Sequence, residues 1–506
     1  MLCNYSTFGI EHEILENNTF MKESLKEKTI NGMLWSFLQK ISTQAISFVI
    51  SVILARILTP DDYGIVALAG MLMILMGIFS DGGLGPAIVQ KKDADEKDFN
   101  TMFVTQLVFA SVMYIIVFFV APYFASLFNT KDEKLLIDVI RVMALGMPLG
   151  ALAGVQNSVV TRRMMFKWYF ISNSFSLLTS AAVGLYLAYN GYGAWALIGQ
   201  NFTSLITSTI VIFILLDWHP KFEFYYDRFL PLFTTGLKFM GTSLIGTVTA
   251  QIKGYALGMK YSSADLAYFN RGEGMPNLLC NNIDSTIQSV LFPALVSIQE
   301  DAAAVKRSLR RAIRISTYIL FPLLFGLAAI SDKLVIIVFT EKWAPCIPFM
   351  QITCVSLAIG IMCNVNLQAL KARGLIGLVL KLEFIKKPIM FLILISTMLI
   401  SPIAMAWGIL FFNIFVYFIN SCPNKKNIEY SYKEQLWDVF PNTVLASSMA
   451  IFVYVIGFFI SNNSVSVAIQ IVAGALYYIS LSVLFRNESY SYTKKTVLDK
   501  IRKEKT

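Results

Sequence analysis

Residues 266–296 read LAYFNRGEGMPNLLCNNIDSTIQSVLFPALV. Within this stretch Asn270, Glu273, Asn277, Asn281, Asp284 and Gln288 recur at offsets 0, 3, 7, 11, 14 and 18. At about 100° per residue those positions gather on one face of a helix, and the segment is long enough at about 1.5 Å per residue to cross a bilayer. Two neighbouring segments repeat the pattern. Over 231–258, Thr235, Lys238, Thr242, Gly246, Thr249 and Lys253 fall at the same offsets, and over 33–55, Ser36, Lys40, Thr43, Gln44, Ser47 and Ser51 share an arc of about 100°. Hydrocarbon contains no water, so none of these faces can point at lipid.

The whole chain fits that setting. It has 506 residues, 56% of them hydrophobic and only 15% charged, against about 25% charged in an ordinary soluble domain. Its mean hydropathy is +0.62. Fourteen apolar runs follow one another, at 33–55, 63–88, 101–128, 135–160, 168–189, 192–216, 231–258, 266–296, 312–339, 346–370, 379–400, 402–420, 440–460 and 464–485. At about 20 residues each they make an all-α polytopic membrane protein of about fourteen spans. The polar start, with Glu11, Glu13 and Glu16 ahead of any apolar run, is not a secretory signal, and Met21 opens a segment that reads as a natural start.

Basic residues orient the spans. With the N-terminus inside, 31 of the 42 lysines and arginines fall on the cytoplasmic side and 6 outside. Both termini are therefore expected in the cytoplasm. This distribution ascribes the net charge of +10 to topology rather than to nucleic acid. Two histidines leave no His-rich metal centre or proton relay, and six cysteines without a CxxC pair read as small buried hydrophobes. No outer loop is long enough for the extracytoplasmic domain of a polymerase or ligase.

A weak internal repeat aligns Leu54-Ala-Arg-Ile-Leu-Thr-Pro-Asp-Asp62 with Leu257-Gly-Met-Lys-Tyr-Ser-Ser-Ala-Asp265, an offset of 203 residues and six spans. An even number of spans makes such a repeat parallel, about an axis along the membrane normal. In the first copy Thr59 or Asp61 is expected to cap the following helix, with Pro60 stiffening the turn. Pro276, Pro148 and the glycines after Asp81 mark places where spans can kink.

A lysine at mid-span costs about 2.5–3.5 kcal/mol on insertion scales, so Lys238, Lys253, Arg271 and Lys40 left unpaired would cost roughly 10 kcal/mol together. That rivals the stability of a whole domain. Two readings satisfy the cost: a solvated cationic cavity, or structural pairing such as Lys253 with Glu273. Milder stripes at Ser172/Ser176/Thr179, Gln200/Ser204/Thr207 and Asn364/Gln368 admit the same two readings.

Several stretches, in order, resemble one family: LARILTPDDYG (54–64), FSDGGLGPAIVQ (79–90), Arg162-Arg163 with Phe166-Lys167, Ala267-Tyr-Phe-Asn-Arg271, Phe321-Pro-x3-Gly326, and Glu341-Lys-Trp343 with Pro348. Over about residues 31–486 the chain resembles bacterial oligosaccharide flippases, the polysaccharide-exporter branch of the MATE-like multidrug/oligosaccharidyl-lipid/polysaccharide export superfamily. It is similar in particular to the lipopolysaccharide-biosynthesis type. Ala267 departs from the family's usual glycine.

The resemblance implies two six-helix lobes related by a pseudo-two-fold along the membrane normal, plus two C-terminal helices. The corresponding division is a cytoplasmic extension 1–30, an N-lobe 31–216, a linker 217–230, a C-lobe 231–420, a cytoplasmic loop 421–439, spans 440–485 and a basic tail 486–506. The implied function is not enzymatic. It is translocation of a polyprenyl-pyrophosphate-linked oligosaccharide, such as an O-antigen, capsule or exopolysaccharide repeat unit, across the bacterial inner membrane by alternating access. In that scheme Lys40, Lys238, Lys253 and Arg271 attract the pyrophosphate, and Gln44, Asn277 and Asn281 bind sugar hydroxyls. Glu273 and Asp284 are the candidates for H+ or Na+ coupling, with no metal or other cofactor. Expected partners are the lipid-linked glycan, membrane lipids and the polymerase and chain-length proteins of the same pathway, with no nucleic acid. A MATE-type cation-coupled drug antiporter and, behind it, a membrane polymerase or ligase are the rival readings.

Overall fold

A computed structural model describes residues 43–491 of the chain. The described residues contain helices and no strand. The helices are α1 (Thr43–Ile57, as far as it is described), α2 (Pro60–Asp81), α3 (Leu84–Gln90), α4 (Glu96–Ala125), α5 (Glu133–Ala144), α6 (Gly146–Arg162), α7 (Phe166–Tyr189), α8 (Ala194–Leu215) and α9 (Tyr226–Lys260). They continue with α10 (Ser263–Val296), α11 (Ala302–Phe339), a 3-10 turn Glu341–Cys346, α12 (Ile347–Ala372), α13 (Ile376–Met398), α14 (Pro402–Ile428), α15 (Tyr432–Phe458) and α16 (Asn463–Leu484). Ten spans among the described residues are long and apolar enough to cross a membrane, α5 and α6 counting together. The four other expected spans fall on α1, on α9 and α10 with their polar faces, and on α13, which carries Lys381, Glu383, Lys386 and Lys387.

The chain divides into two compact units, one up to Tyr255 and one from Ala256. In the first, Thr59 caps α2: its hydroxyl accepts the Asp62 N–H, and the Asp62 carboxylate accepts the Thr59 N–H at 2.9 Å. Asp62 and not Asp61 completes the box, while Asp61 pairs with Lys131 at 2.7 Å. Such reciprocal caps satisfy donors that a helix start leaves open. The second unit opens identically. Ser262 caps α10, with Asp265 as its partner. The Leu54/Leu257 and Asp62/Asp265 alignment thus holds at the level of hydrogen bonds, and both leucines are fully buried.

The span expected at 63–88 is broken. α2 ends at Asp81, and Gly82 and Gly83 both take left-handed φ, +61° and +69°. α3 then starts in a new direction, and Arg162 of α6 donates to the carbonyls of Ile88 (3.0 Å), Lys91 and Lys92 (2.6 Å), closing its C-terminal end. α9 lies directly on the break: a Cβ on Gly83 would sit 2.1 Å from the Gly236 carbonyl oxygen. Two backbones can approach this closely only where neither residue carries a side chain.

The segment before α9 is clamped to α4. The Asn100 side chain accepts the Lys221 N–H and donates to Glu223, the Thr101 hydroxyl accepts the Tyr225 N–H, and Trp218 packs on Phe99. Arg228 pairs with Asp95 at 3.3 Å. Burial pushes the Asp95 carboxyl up, but the Asp98 N–H and the Arg228 guanidinium outweigh this and hold it below the usual carboxylate range. α7 and α8 form a hairpin turned by Gly191 and Gly193, both at positive φ.

In the second unit α12 is the enclosed helix, with 61% of its most apolar stretch buried, and α10, α11 and α14 pack around it. Asn366, Asn424, Gln435 and Ser421 form a buried network joining α12, α14 and α15. α15 and α16 pack on α11, where Lys333 donates to the Ile460 carbonyl and the Ser466 hydroxyl. Cys280, Cys346, Cys354 and Cys363 are buried as expected, whereas Cys422 is exposed.

Replacing Gly83 by Ala should lower stability by about 2–4 kcal/mol, from left-handed strain plus overlap with the α9 backbone. Gly77→Ala, whose Cβ meets nothing within 4 Å, should be neutral or slightly stabilising. Thermal unfolding of the purified variants in detergent checks the pair. Equal melting temperatures would contradict this packing.

Candidate functional site

α10 runs from Ser263 to Val296 with Pro276, a place where the span can kink, inside it. Its polar face is graded. Asn270 and Asn281 are exposed, Glu273 and Asn277 are half-buried, and Asp284 is buried.

Arg271 is seated between aromatic rings. Its guanidinium lies 4.8 Å from the centroid of Phe339 and 4.8 Å from that of Trp343. Trp343 is fully buried and meets Tyr268 edge-on, and Phe269 meets Phe349 in the same way. Gly272 permits this closeness: a Cβ there would fall 2.6 Å from the Phe349 side chain and 2.8 Å from the Cys346 carbonyl. The Ala267–Arg271 and Glu341–Trp343 stretches, 70 or more residues apart in sequence, are therefore one assembly. A planar, weakly hydrated guanidinium suits such a seat better than a strongly hydrated ammonium. Ala267 is buried in the first turn of α10.

Deeper in the helix the polar stripe is spent on a neighbour. The Asp284 carboxylate accepts from Asn364 and from Gln288, each at 2.7 Å, and Gln368 donates to Gln288 at 2.6 Å. The Asn364/Gln368 stripe of α12 thus ties α12 to α10. One oxygen of Asp284 remains buried without a hydrogen-bond partner. The α7 and α8 stripes are likewise consumed by each other: Ser172 donates to the Ser208 carbonyl, Ser176 meets Ser204, and Thr179 donates to Thr207. For these stripes the pairing alternative holds.

α9 differs. Lys238, Thr242 and Gly246 are exposed, and Thr235, Thr249 and Lys253 are half-exposed. The hydroxyls of Thr235, Thr242 and Thr249 bond back to carbonyls three or four residues earlier in their own helix. Such bonds satisfy a hydroxyl without a second helix. Lys238 forms no ion pair among the described residues. Gln44 is half-exposed on α1, and Lys40 lies outside the described residues.

Sequence periodicity gave no sign of Gln106 in the apolar run of α4, nor of Lys386, which is buried against Glu383 and Asn420. A single polar residue has no period, so only three-dimensional neighbours reveal it.

Spans of this length, with polar faces confined to particular helices, define a multi-pass membrane protein. The family described as "Polysaccharide biosynthesis protein" matches residues 53–348, and the chain belongs to that family. The succinoglycan biosynthesis transport protein ExoT of Rhizobium meliloti (strain 1021) is 27% identical over 362 residues, 70% of this chain and 71% of its own length. The lipopolysaccharide biosynthesis protein WzxC of Escherichia coli (strain K12) is 24% identical over 348 residues, 66% and 67% of the two chains. The structure of the lipid II flippase MurJ in an inward closed conformation superimposes with a TM-score of 0.72 over 90% of this chain and 99% of MurJ, at 16% identity, so the fold is shared. The resemblance and the all-helical polytopic fold expected from the sequence are thereby confirmed.

The Asp284–Asn364 contact makes a testable pair. Asn364→Leu removes one donor from a buried carboxylate and should cost about 1–3 kcal/mol of stability. Asp284→Leu combined with Asn364→Leu should recover most of it, because both partners are then apolar. A double-mutant cycle by thermal unfolding reads the coupling. Strictly additive effects would mean that the contact contributes nothing.

Proposed function

We propose that the protein translocates a polyprenyl-pyrophosphate-linked oligosaccharide from the cytoplasmic to the outer leaflet of the bacterial inner membrane. The observation that carries this reading is Lys238: an ammonium in a membrane-depth helix, exposed and without an ion pair among the described residues, in a chain of the polysaccharide biosynthesis family. A diphosphate head group cannot enter hydrocarbon unaided, because desolvating its charges costs far more than binding supplies. A hydrated surface carrying fixed cations removes most of that cost. The same surface gives those cations the water or counter-ion that they need at this depth.

In this reading Lys40, Lys238, Lys253 and Arg271 attract the pyrophosphate, with Arg271 held against Phe339 and Trp343. Gln44, Asn277 and Asn281 offer amides to sugar hydroxyls, since an amide both donates and accepts. The polyprenyl tail stays in lipid. Lobes of residues 31–216 and 231–420 rock to expose the head group to one side and then the other, with both termini in the cytoplasm. Glu273 and Asp284 are the ion-coupling candidates of this lobe pair. The chain performs no covalent step. The lipid-linked glycan is its partner, and polymerase and chain-length proteins act after it.

Export of lipid-linked glycan to the outer leaflet tests the proposal. Lys238→Ala and Lys40→Ala should each reduce export at least about tenfold at unchanged protein levels, equivalent to about 1.4 kcal/mol or more. Lys238→Arg should retain most of it, because the charge is kept. Full export by both alanine variants, or efflux of cationic dyes in place of glycan export, would contradict the proposal.

A further inference from the structure

We propose that Asp81 and Gln106 form a binding site for a monovalent cation inside the N-terminal unit, separate from the polar faces of α9 and α10. The site is a cavity of about 300 Å³ between α2, α4 and α6. Its polar end carries Ser80, Asp81 and Gln106, and its walls are opened by glycines. A Cβ built on Gly77 or Gly150 would meet nothing within 4 Å.

Three observations point to a cation. First, Asp81 has no lysine, arginine or histidine partner among the described residues. Its carboxylate receives Gln106 Nε2 at 2.7 Å and the N–H groups of Gly83 and Gly85, all of them neutral donors. An ionised carboxylate in a span needs a counter-charge, a proton or water, and among the described residues Asp81 has no counter-charge from the protein. Second, Gln106 is only 2% exposed, and its Oε1 is buried without a hydrogen-bond partner. That oxygen lies at the cavity wall, 3.2 Å from where a Cβ on Gly154 would be. An orphaned buried acceptor is costly. Third, the cavity is far larger than one water, so water can complete a coordination shell.

A proton on Asp81 would cancel its charge, but Gln106 Oε1 would then need a separate water, and the pH arm of the experiment below distinguishes that outcome. A small hard cation answers both, because hard cations take carboxylate, amide carbonyl and water oxygens. One carboxylate balances one positive charge, and the described residues hold no cluster of three acidic, histidine or cysteine side chains that would favour a divalent metal. The carboxylate also caps the α2–α3 break through Gly83 and Gly85, so the ligand role has to be separated from the cap.

The experiment measures thermal unfolding of the purified full-length protein in detergent, in sodium chloride against choline chloride at equal ionic strength. Sodium should raise the melting temperature in a saturable way. Asp81→Asn keeps a cap acceptor but loses the charge, and should weaken the apparent sodium affinity at least about tenfold. Gly150→Leu fills the cavity without touching the carboxylate or its cap, and should do the same even if Asp81→Asn fails to fold. Asp61→Asn, at the exposed ion pair with Lys131, should leave the sodium response intact. The proposal is overturned by no sodium-specific shift in the native protein, by a shift that survives Gly150→Leu, or by one that follows pH and ignores sodium.

Discussion

A charge or an unsatisfied hydrogen-bonding group placed at membrane depth must find either a partner or water, and this constraint sorts nearly every polar residue of the structure. Some find partners across a helix pair, as Ser176 does with Ser204 and Asp284 with Asn364. Some find them in their own helix, as the threonines of α9 do. Others close helix ends: Arg162 on the carbonyls after α3, Lys333 on those after α15. What remains, among the described residues, is Lys238, which forms no ion pair there. Function is read from that remainder.

The same constraint explains why the family stretches sit where they do. FSDGGLGPAIVQ encodes a break in a span, and a break exposes backbone groups that must be satisfied. Asp81 takes the N–H groups on one side of the break, Arg162 takes carbonyls at the far end of α3, and two glycines let α9 close over the gap. In the second unit, Gly272 lets α10 approach α12 closely enough for Arg271 to settle over Trp343 and Phe339. Both motifs therefore build positions first, and any chemistry follows from the positions.

Much of this was legible in the sequence, for local reasons. Span positions follow from apolar runs, and the cap at Thr59 follows from a hydroxyl just ahead of Pro60. The stripes on α9 and α10 follow from a 3.6-residue period. What the sequence left open was where each stripe is spent. Nothing in Ser172/Ser176/Thr179 says that its partner is the matching stripe of α8, since pairing is a property of two helices. Pro276 marks a place where α10 can kink, and the helix continues through it from Ser263 to Val296. Gln106 carried no signal at all.

The account rests on water reaching the polar faces of α9 and α10. The most direct measurement is labelling of introduced cysteines by a water-soluble maleimide in native membranes, with Cys3 and Cys422 changed to serine and the buried Cys280, Cys346, Cys354 and Cys363 as background. Thiols react as thiolates, which hydrocarbon suppresses. Thr242→Cys and Asn281→Cys, both at exposed stripe positions, are predicted to label readily, while Leu392→Cys on α13 and Val472→Cys on α16, at exposed apolar positions, stay unlabelled. Stripe cysteines as inert as the two apolar controls would mean that lipid or dry protein covers those faces, and the account would fail.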